Sequence, residues 1–200
     1  MAGVPLVGLT GGLGAGKSEA LRALGELGAA TLSTDAVVHE LLASDELRGI
    51  VAERLGDDVA RDGRLDRSLI AERVFADSEA REWLEGELWP RVGRRVLEWR
   101  QEVEALEPPP PAAVVEVPLL FESGMEQAFD ATVAVVADEA VRAERAGARG
   151  HASVDERAGR QLTQAEKAQR ADYVVRNESS LEELRENLSR VLARLDSPPP

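Results

Sequence analysis

Residues 11–18 read GGLGAGKS, a complete match to G-x-x-x-x-G-K-[ST], and no other stretch limits the possible folds as strongly. Upstream, Leu6 to Thr10 (LVGLT) is a short apolar run of the kind that forms a buried strand, and downstream Ala20, Leu21, Leu24 and Leu27 recur at helical spacing. The octapeptide therefore joins a strand to a helix. Its glycines let successive backbone N–H groups turn inward around an anion, while the helix presents its positive N-terminal end to the same charge. The expected ligand is a nucleotide, with Lys17 neutralising its β and γ phosphates and the Ser18 hydroxyl binding magnesium.

The rest of the chain alternates short apolar runs with helical patterns. Ala30 to Leu32 reads as a second strand, with Asp35 at its exit opening a helix through Leu42. Asp66 to Val74, with an Asp N-cap, and Glu79 to Glu104, with a break expected at Pro90, form a helical insertion. The run Pro108 to Pro111 is a rigid connector. Ala112 to Val117 (AAVVEV) and Ala131 to Val136 (ATVAVV) have the length and β-branched content of parallel strands buried on both faces. Glu139 to Arg149 and Ser153 to Ala171 read as charged helices, Tyr173 to Val175 as a last strand, Leu181 to Leu195 as an amphipathic helix, and Pro198 to Pro200 as a frayed tail. This order predicts an α/β fold, a five-stranded parallel sheet flanked by helices, and 200 residues suit one such domain.

Composition narrows the function classes. With 37 acidic against 24 basic residues the formal net charge is −13, which argues against general affinity for nucleic acid or for anionic membrane surfaces. An anionic ligand must be caught by a local site. Cysteine is absent and there are two histidines, His39 and His151, so disulfides and thiolate metal sites are excluded. No stretch approaches the ~20 apolar residues of a membrane span, and Met1 to Thr10 lacks a basic start, so a cytoplasmic protein is expected, as a monomer or small homo-oligomer. Lys17 and Lys167 are the two lysines among 24 basic residues, which makes each conspicuous.

Several residues suit phosphoryl transfer. A GTP-dependent switch would need N-K-x-D, but Asn177 and Asn187 are followed by Glu and Leu. Asp35, at the carboxyl end of a strand, can orient and deprotonate a hydroxyl, or cap the helix it opens. Glu116 ends an apolar strand in the manner of a magnesium-holding carboxylate, or is an edge residue. Glu122 follows, with Leu120 and Phe121 as candidate lining for a substrate pocket or as ordinary packing. Arg142, Arg145 and Arg149 share a helix face, where a solvated stripe and a phosphoryl clamp on a mobile lid are both possible; Arg145 and Arg149 are the candidates for the second role. His151 reads as a loop residue.

Together, VGLTGGLGAGKS (7–18), LGAATLSTD (27–35), GRLDR (63–67), WLEGELWPRV (83–92), VEVPLLFESG (115–124) and the end from Lys167 through Ala171, Asp172 and Asn177 resemble the dephospho-CoA kinase family. That family phosphorylates the ribose 3′-hydroxyl of dephospho-CoA with ATP and magnesium, the last step of coenzyme A synthesis. The resemblance implies a P-loop, nucleoside monophosphate kinase-like core over 1–46, 108–139 and 172–197. It also implies a helical CoA-binding region over 47–107 and a lid over 140–171. ATP contacts are implied from Gly12, Leu13, Gly14, Ala15, Gly16, Lys17, Ser18, Glu19 and Asn177, a general base at Asp35, and lid arginines at Arg145 or Arg149. The family's Arg and Gln pair aligns with Arg157 and Gln161 or with Arg160 and Gln164. Ser33 stands where the family commonly has Asp, Trp89-Pro90 where it has His-Pro, and Glu19 where Thr often follows the loop serine. The acceptor's pyrophosphate calls for positive charge in the helical region, with Arg67, Arg91, Arg94 and Arg95 as candidates. A kinase of another small hydroxylated metabolite and a non-catalytic nucleotide-binding regulator stay open as alternatives.

Overall fold

Five of the apolar runs pair into one all-parallel sheet. The computed structural model describes residues 3–61, 63–139, 141–142 and 161–195. The sheet comprises β1 (Leu6–Gly11), β2 (Ala30–Ser33), β5 (Ala113–Glu116), β6 (Ala131–Val136) and β7 (Tyr173–Arg176), in the order β2-β5-β1-β6-β7. A two-residue hairpin of β3 (Ala60–Arg61) and β4 (Arg64–Leu65) forms a second, antiparallel sheet. The central strand β1 pairs with β5 from Leu6 opposite Ala113 to Leu9 opposite Glu116, and with β6 from Val7 opposite Ala131 to Gly11 opposite Val135. Every residue of β1 is buried, which explains its mostly apolar character; its one hydroxyl, on Thr10, donates to the Pro118 carbonyl at 3.3 Å.

The chain divides into two units, Met1–Ser33 with Arg100–Pro200, and Thr34–Trp99. In the first, α1 (Lys17–Glu26) and α7 (Leu181–Leu195) share a core with the sheet. The apolar face of α7 is Leu184, Leu188, Val191 and Leu192, each contributing about 1.5–3 kcal/mol through burial. Short polar ties hold strand ends in register. Asp130 Oδ2 accepts from the Leu6 amide at 2.7 Å, and Asp172 Oδ2 accepts from the Thr132 amide and hydroxyl at 2.8 and 2.7 Å.

The second unit is helical: α2 (Thr34–Ala43), α3 (Asp45–Leu55), α4 (Arg67–Ala76) and the larger part of α5 (Ser78–Glu104). Leu47, Val51, Leu55, Ile70, Leu84 and Leu88 belong to its core. Three expectations need correction. Asp35 sits inside the first turn of α2 rather than capping it, because the helix already begins at Thr34. The expected break at Pro90 is absent, and α5 runs through it. Buried residues recur on both sides of the proline, at Leu84, Leu88, Val92 and Val96, and the Arg91 guanidinium donates to the Glu87 carbonyl at 2.7 Å in the turn that the proline weakens. In the charged stretch expected as a helix from Ser153, α6 covers Gln164–Arg170. Thr163 starts it there, because its hydroxyl accepts from the Glu166 amide while the Glu166 carboxylate accepts from the Thr163 amide. Among the described residues no helix is long and apolar enough to cross a membrane.

Candidate active site

The chain leaves β1 toward β2 on one side and later returns to β6 on the other. The carboxyl end of β1 is therefore the crevice at which ligands of such sheets collect. Residues 11–18 begin in that crevice. Gly11 (φ 156°) approaches β6 so closely that a Cβ there would lie 2.4 Å from the Val135 carbonyl oxygen. Gly14 (φ 74°) is left-handed, and a Cβ on it would meet the Arg142 carbonyl at 2.7 Å. Lys17 Nζ curls back to the carbonyls of Gly11 and Gly12, 3.1 Å from each. The N-cap of α1 is Gly16, with no side-chain cap, so the helix N-terminus is left to an external anion.

Two side chains from far along the chain hold the loop from outside. Arg142 Nε donates to the Leu13 carbonyl at 2.9 Å, with its guanidinium carbon 3.4 Å from where a Cβ of Gly12 would sit. Asn177, buried at the end of β7, donates through Nδ2 to the Ala15 carbonyl at 2.9 Å, while its own amide donates to the Val136 carbonyl at 2.8 Å. Within a trans peptide the C=O and the following N–H point in opposite directions. Drawing the Leu13 and Ala15 carbonyls outward therefore turns the N–H groups of Gly14 and Gly16 inward. Asn177, implied as a nucleotide contact, touches the loop backbone, and Glu19 pairs with Arg22 on the outer side of α1. Exchange of Arg142 for Ala is expected to raise KM for ATP about 10-fold while kcat changes little, because the loop loses a charge-assisted hydrogen bond and Lys17 stays. Initial rates at varied ATP check this, and an unchanged KM would remove Arg142 from loop positioning.

Ser18 and Glu116 come together: Ser18 Oγ lies 3.5 Å from Glu116 Oε1, and the carboxylate is 6% exposed. Two oxygen donors beside a phosphate loop fit a hard divalent cation that completes its shell with phosphate oxygens and water. Among the described residues no group of three or more His, Asp or Glu could hold a metal by itself.

In the loop after β5 the three substrate-side candidates divide between packing and ion pairing. Leu120 and Phe121 are buried, and Leu120 packs where a Cβ of Gly8 would come within 3.0 Å. Glu122 faces Lys167, whose Nζ is 3.0 Å from Oε1 and donates to the Pro118 carbonyl at 2.6 Å; the same Oε1 accepts from the Leu162 amide at 2.9 Å. Gln164 grips Ala137 with both ends of its amide, each at 2.8 Å. Together these bonds pin α6 to the carboxyl ends of β5 and β6. Lys167 is fully buried, so Lys167→Met leaves the Glu122 carboxylate inside without its counter-charge. A loss of about 3–5 kcal/mol in unfolding free energy is expected, read by urea denaturation, with much of it recovered in Lys167→Met/Glu122→Leu. The scarcity of lysine was the sequence signal for this pair, but nothing local linked Lys167 to Glu122.

A cavity of about 390 Å³ adjoins the loop, lined by Gly12, Leu13, Glu139, Arg142 and Gln161 to Ala165. Asp35 is exposed on the first turn of α2, two residues beyond the end of β2. Arg145, Arg149, His151, Arg157, Arg160 and Pro198 to Pro200 lie outside the described residues.

This loop, with its lysine, serine and facing carboxylate, lies in a chain that resembles known proteins along nearly its whole length. A protein from Protochlamydia amoebophila named dephospho-CoA kinase is 39% identical over 193 residues, covering 94% of this chain and 95% of that protein. Among solved structures, TT1252 from Thermus thermophilus superposes with a TM-score of 0.81 at 34% identity, covering 97% of this chain and 99% of that one. Dephospho-CoA kinase from Campylobacter jejuni gives 0.70 at 25% identity and covers 96% of each chain. With residues 5–183 matching the model of the dephospho-CoA kinase family, the chain belongs to that family.

Proposed function

We propose that this protein transfers the γ-phosphoryl group of ATP to the ribose 3′-hydroxyl of dephospho-CoA, giving CoA and ADP. The observation that carries the reading is the loop at 11–18, held open to an anion by Arg142 and Asn177, in a chain akin to dephospho-CoA kinases over residues 5–183. Lys17 and the N-terminus of α1 receive the β and γ phosphates. Asp35 orients the acceptor hydroxyl and takes its proton as the oxygen bonds to the γ-phosphorus. The bond from that phosphorus to the β–γ bridging oxygen breaks, and the electron pair leaves with ADP. Ser18 and Glu116 would hold magnesium, whose charge offsets that of the phosphates. Arg145 or Arg149 supplies further positive charge on sequence grounds, and the acidic chain suits work in the cytoplasm on a small molecule.

The test is ADP release with ATP, magnesium and dephospho-CoA, with the product weighed for one added phosphate and pantetheine, adenosine and shikimate run as rival acceptors. Turnover favouring dephospho-CoA supports the reading. Preference for a rival acceptor, or ATP binding without transfer, would replace it with one of the two alternatives.

A further inference from the structure

In the helical unit several arginines are matched by carboxylates. Arg48 bonds Asp45, Arg54 bonds Glu79, Arg73 bonds Asp58, and Arg91 bonds both Glu46 and Glu87. The Arg91 guanidinium is held above its ordinary pKa chiefly by the hydrogen bond to Glu46, against the effect of burial. These cations are electrically balanced before any ligand arrives.

Arg67 is held otherwise. Its Nη1 lies 2.6 Å from Nδ1 of His39. A guanidinium has donors and no acceptor, so Arg67 donates and the ring nitrogen accepts. A neutral acceptor orients the fork without cancelling its charge, and the remaining N–H groups can meet a phosphate. Both side chains are exposed. Arg67 is the first residue of α4, whose end is closed by Asp66, which accepts from the Ser68 and Leu69 amides at 3.0 and 3.2 Å. The guanidinium, and not the helix terminus, is the group available to an anion there.

His39 follows Asp35 by four residues on α2, so the two share one face with an axial rise of about 6 Å. In the acceptor, a ribose ring separates the 3′-hydroxyl from the 5′-linked pyrophosphate, a span of the same order. On the basis of the proposed function, we propose that Arg67, positioned by His39, binds the pyrophosphate of the acceptor one helical turn from Asp35, which makes His39 a specificity residue acting through Arg67.

Steady-state kinetics of Arg67→Gln, His39→Ala and the double variant, each at varied dephospho-CoA and varied ATP, test it. Arg67→Gln is expected to raise KM for dephospho-CoA about 10- to 100-fold while KM for ATP and kcat hold within about 3-fold. His39→Ala should raise the same KM by less, and the double variant should match Arg67→Gln alone, because the histidine has nothing left to position. An unchanged KM in Arg67→Gln, or effects of the two substitutions that multiply, would overturn the proposal while leaving the kinase reading intact. Absence of turnover on dephospho-CoA in the unmodified protein would overturn both.

Discussion

Lys17→Ala is expected to lower kcat about 10³-fold, equivalent to about 4 kcal/mol of lost transition-state stabilisation. In the proposed reaction the ammonium offsets charge on the phosphates, and in a chain of net charge −13 no diffuse positive field can stand in for it. Its bonds to the Gly11 and Gly12 carbonyls add a second role, since losing them loosens the loop from inside. Lys17→Arg separates the two. It keeps the charge but presents a planar fork too large for the carbonyl pocket, so it should also fall well below the parent rate. Single-turnover rates with saturating ATP, together with calorimetric ATP affinity, make the distinction. A near-normal rate in Lys17→Ala would refute the mechanism.

Asp35→Asn should reduce kcat by about 10²- to 10⁴-fold, with KM for both substrates within a few-fold of the parent. Asparagine matches the carboxylate in shape and can still hydrogen-bond the acceptor hydroxyl, but it cannot take its proton. Asp35 is exposed in the first turn of α2, so the exchange should perturb folding only through the weak interaction with the helix dipole, about 0.3–1 kcal/mol. Rapid-quench measurement of the transfer step isolates the effect from product release. An unchanged transfer rate would place the proton acceptor elsewhere. It would also revive the reading of the chain as a regulator if transfer were absent in the parent too.

What could be read in advance followed the range of the interactions involved. The inner strands β1, β5 and β6 are short runs buried on both faces, the edge strands β2 and β7 are partly buried, and the helix at Leu181–Leu195 appeared with its bounds intact because Leu184, Leu188, Val191 and Leu192 keep one periodicity. Helix α3 was missed although Leu47, Val51 and Leu55 repeat every four residues, because charged residues fill the intervals and its Ser44 cap resembles any loop serine. The hairpin β3–β4, with two residues per strand, is too short to leave a pattern. Pro90 misled because a local rule was outweighed by packing on both sides. In the site, Gly11 to Ser18 is contiguous and was legible. Arg142 and Asn177 reach the loop across 129 and 162 residues, distances over which one sequence carries no pairing signal. The pairing of Glu122 with Lys167 was hidden for the same reason.

The hold of Asn177 on Ala15 has a consequence for biosynthesis. The nucleotide motif leaves the ribosome well ahead of the strands it depends on: β1 finds its neighbours only in β5 and β6, and its loop is braced from the end of β7. Long-range parallel pairing forms late. The emerging chain therefore carries a phosphate-binding sequence long before it owns a phosphate-binding shape. Until residue 177 has cleared the exit tunnel the loop lacks its hold on the Ala15 carbonyl, so weaker affinity for nucleotide is expected of an incomplete chain than of the finished one.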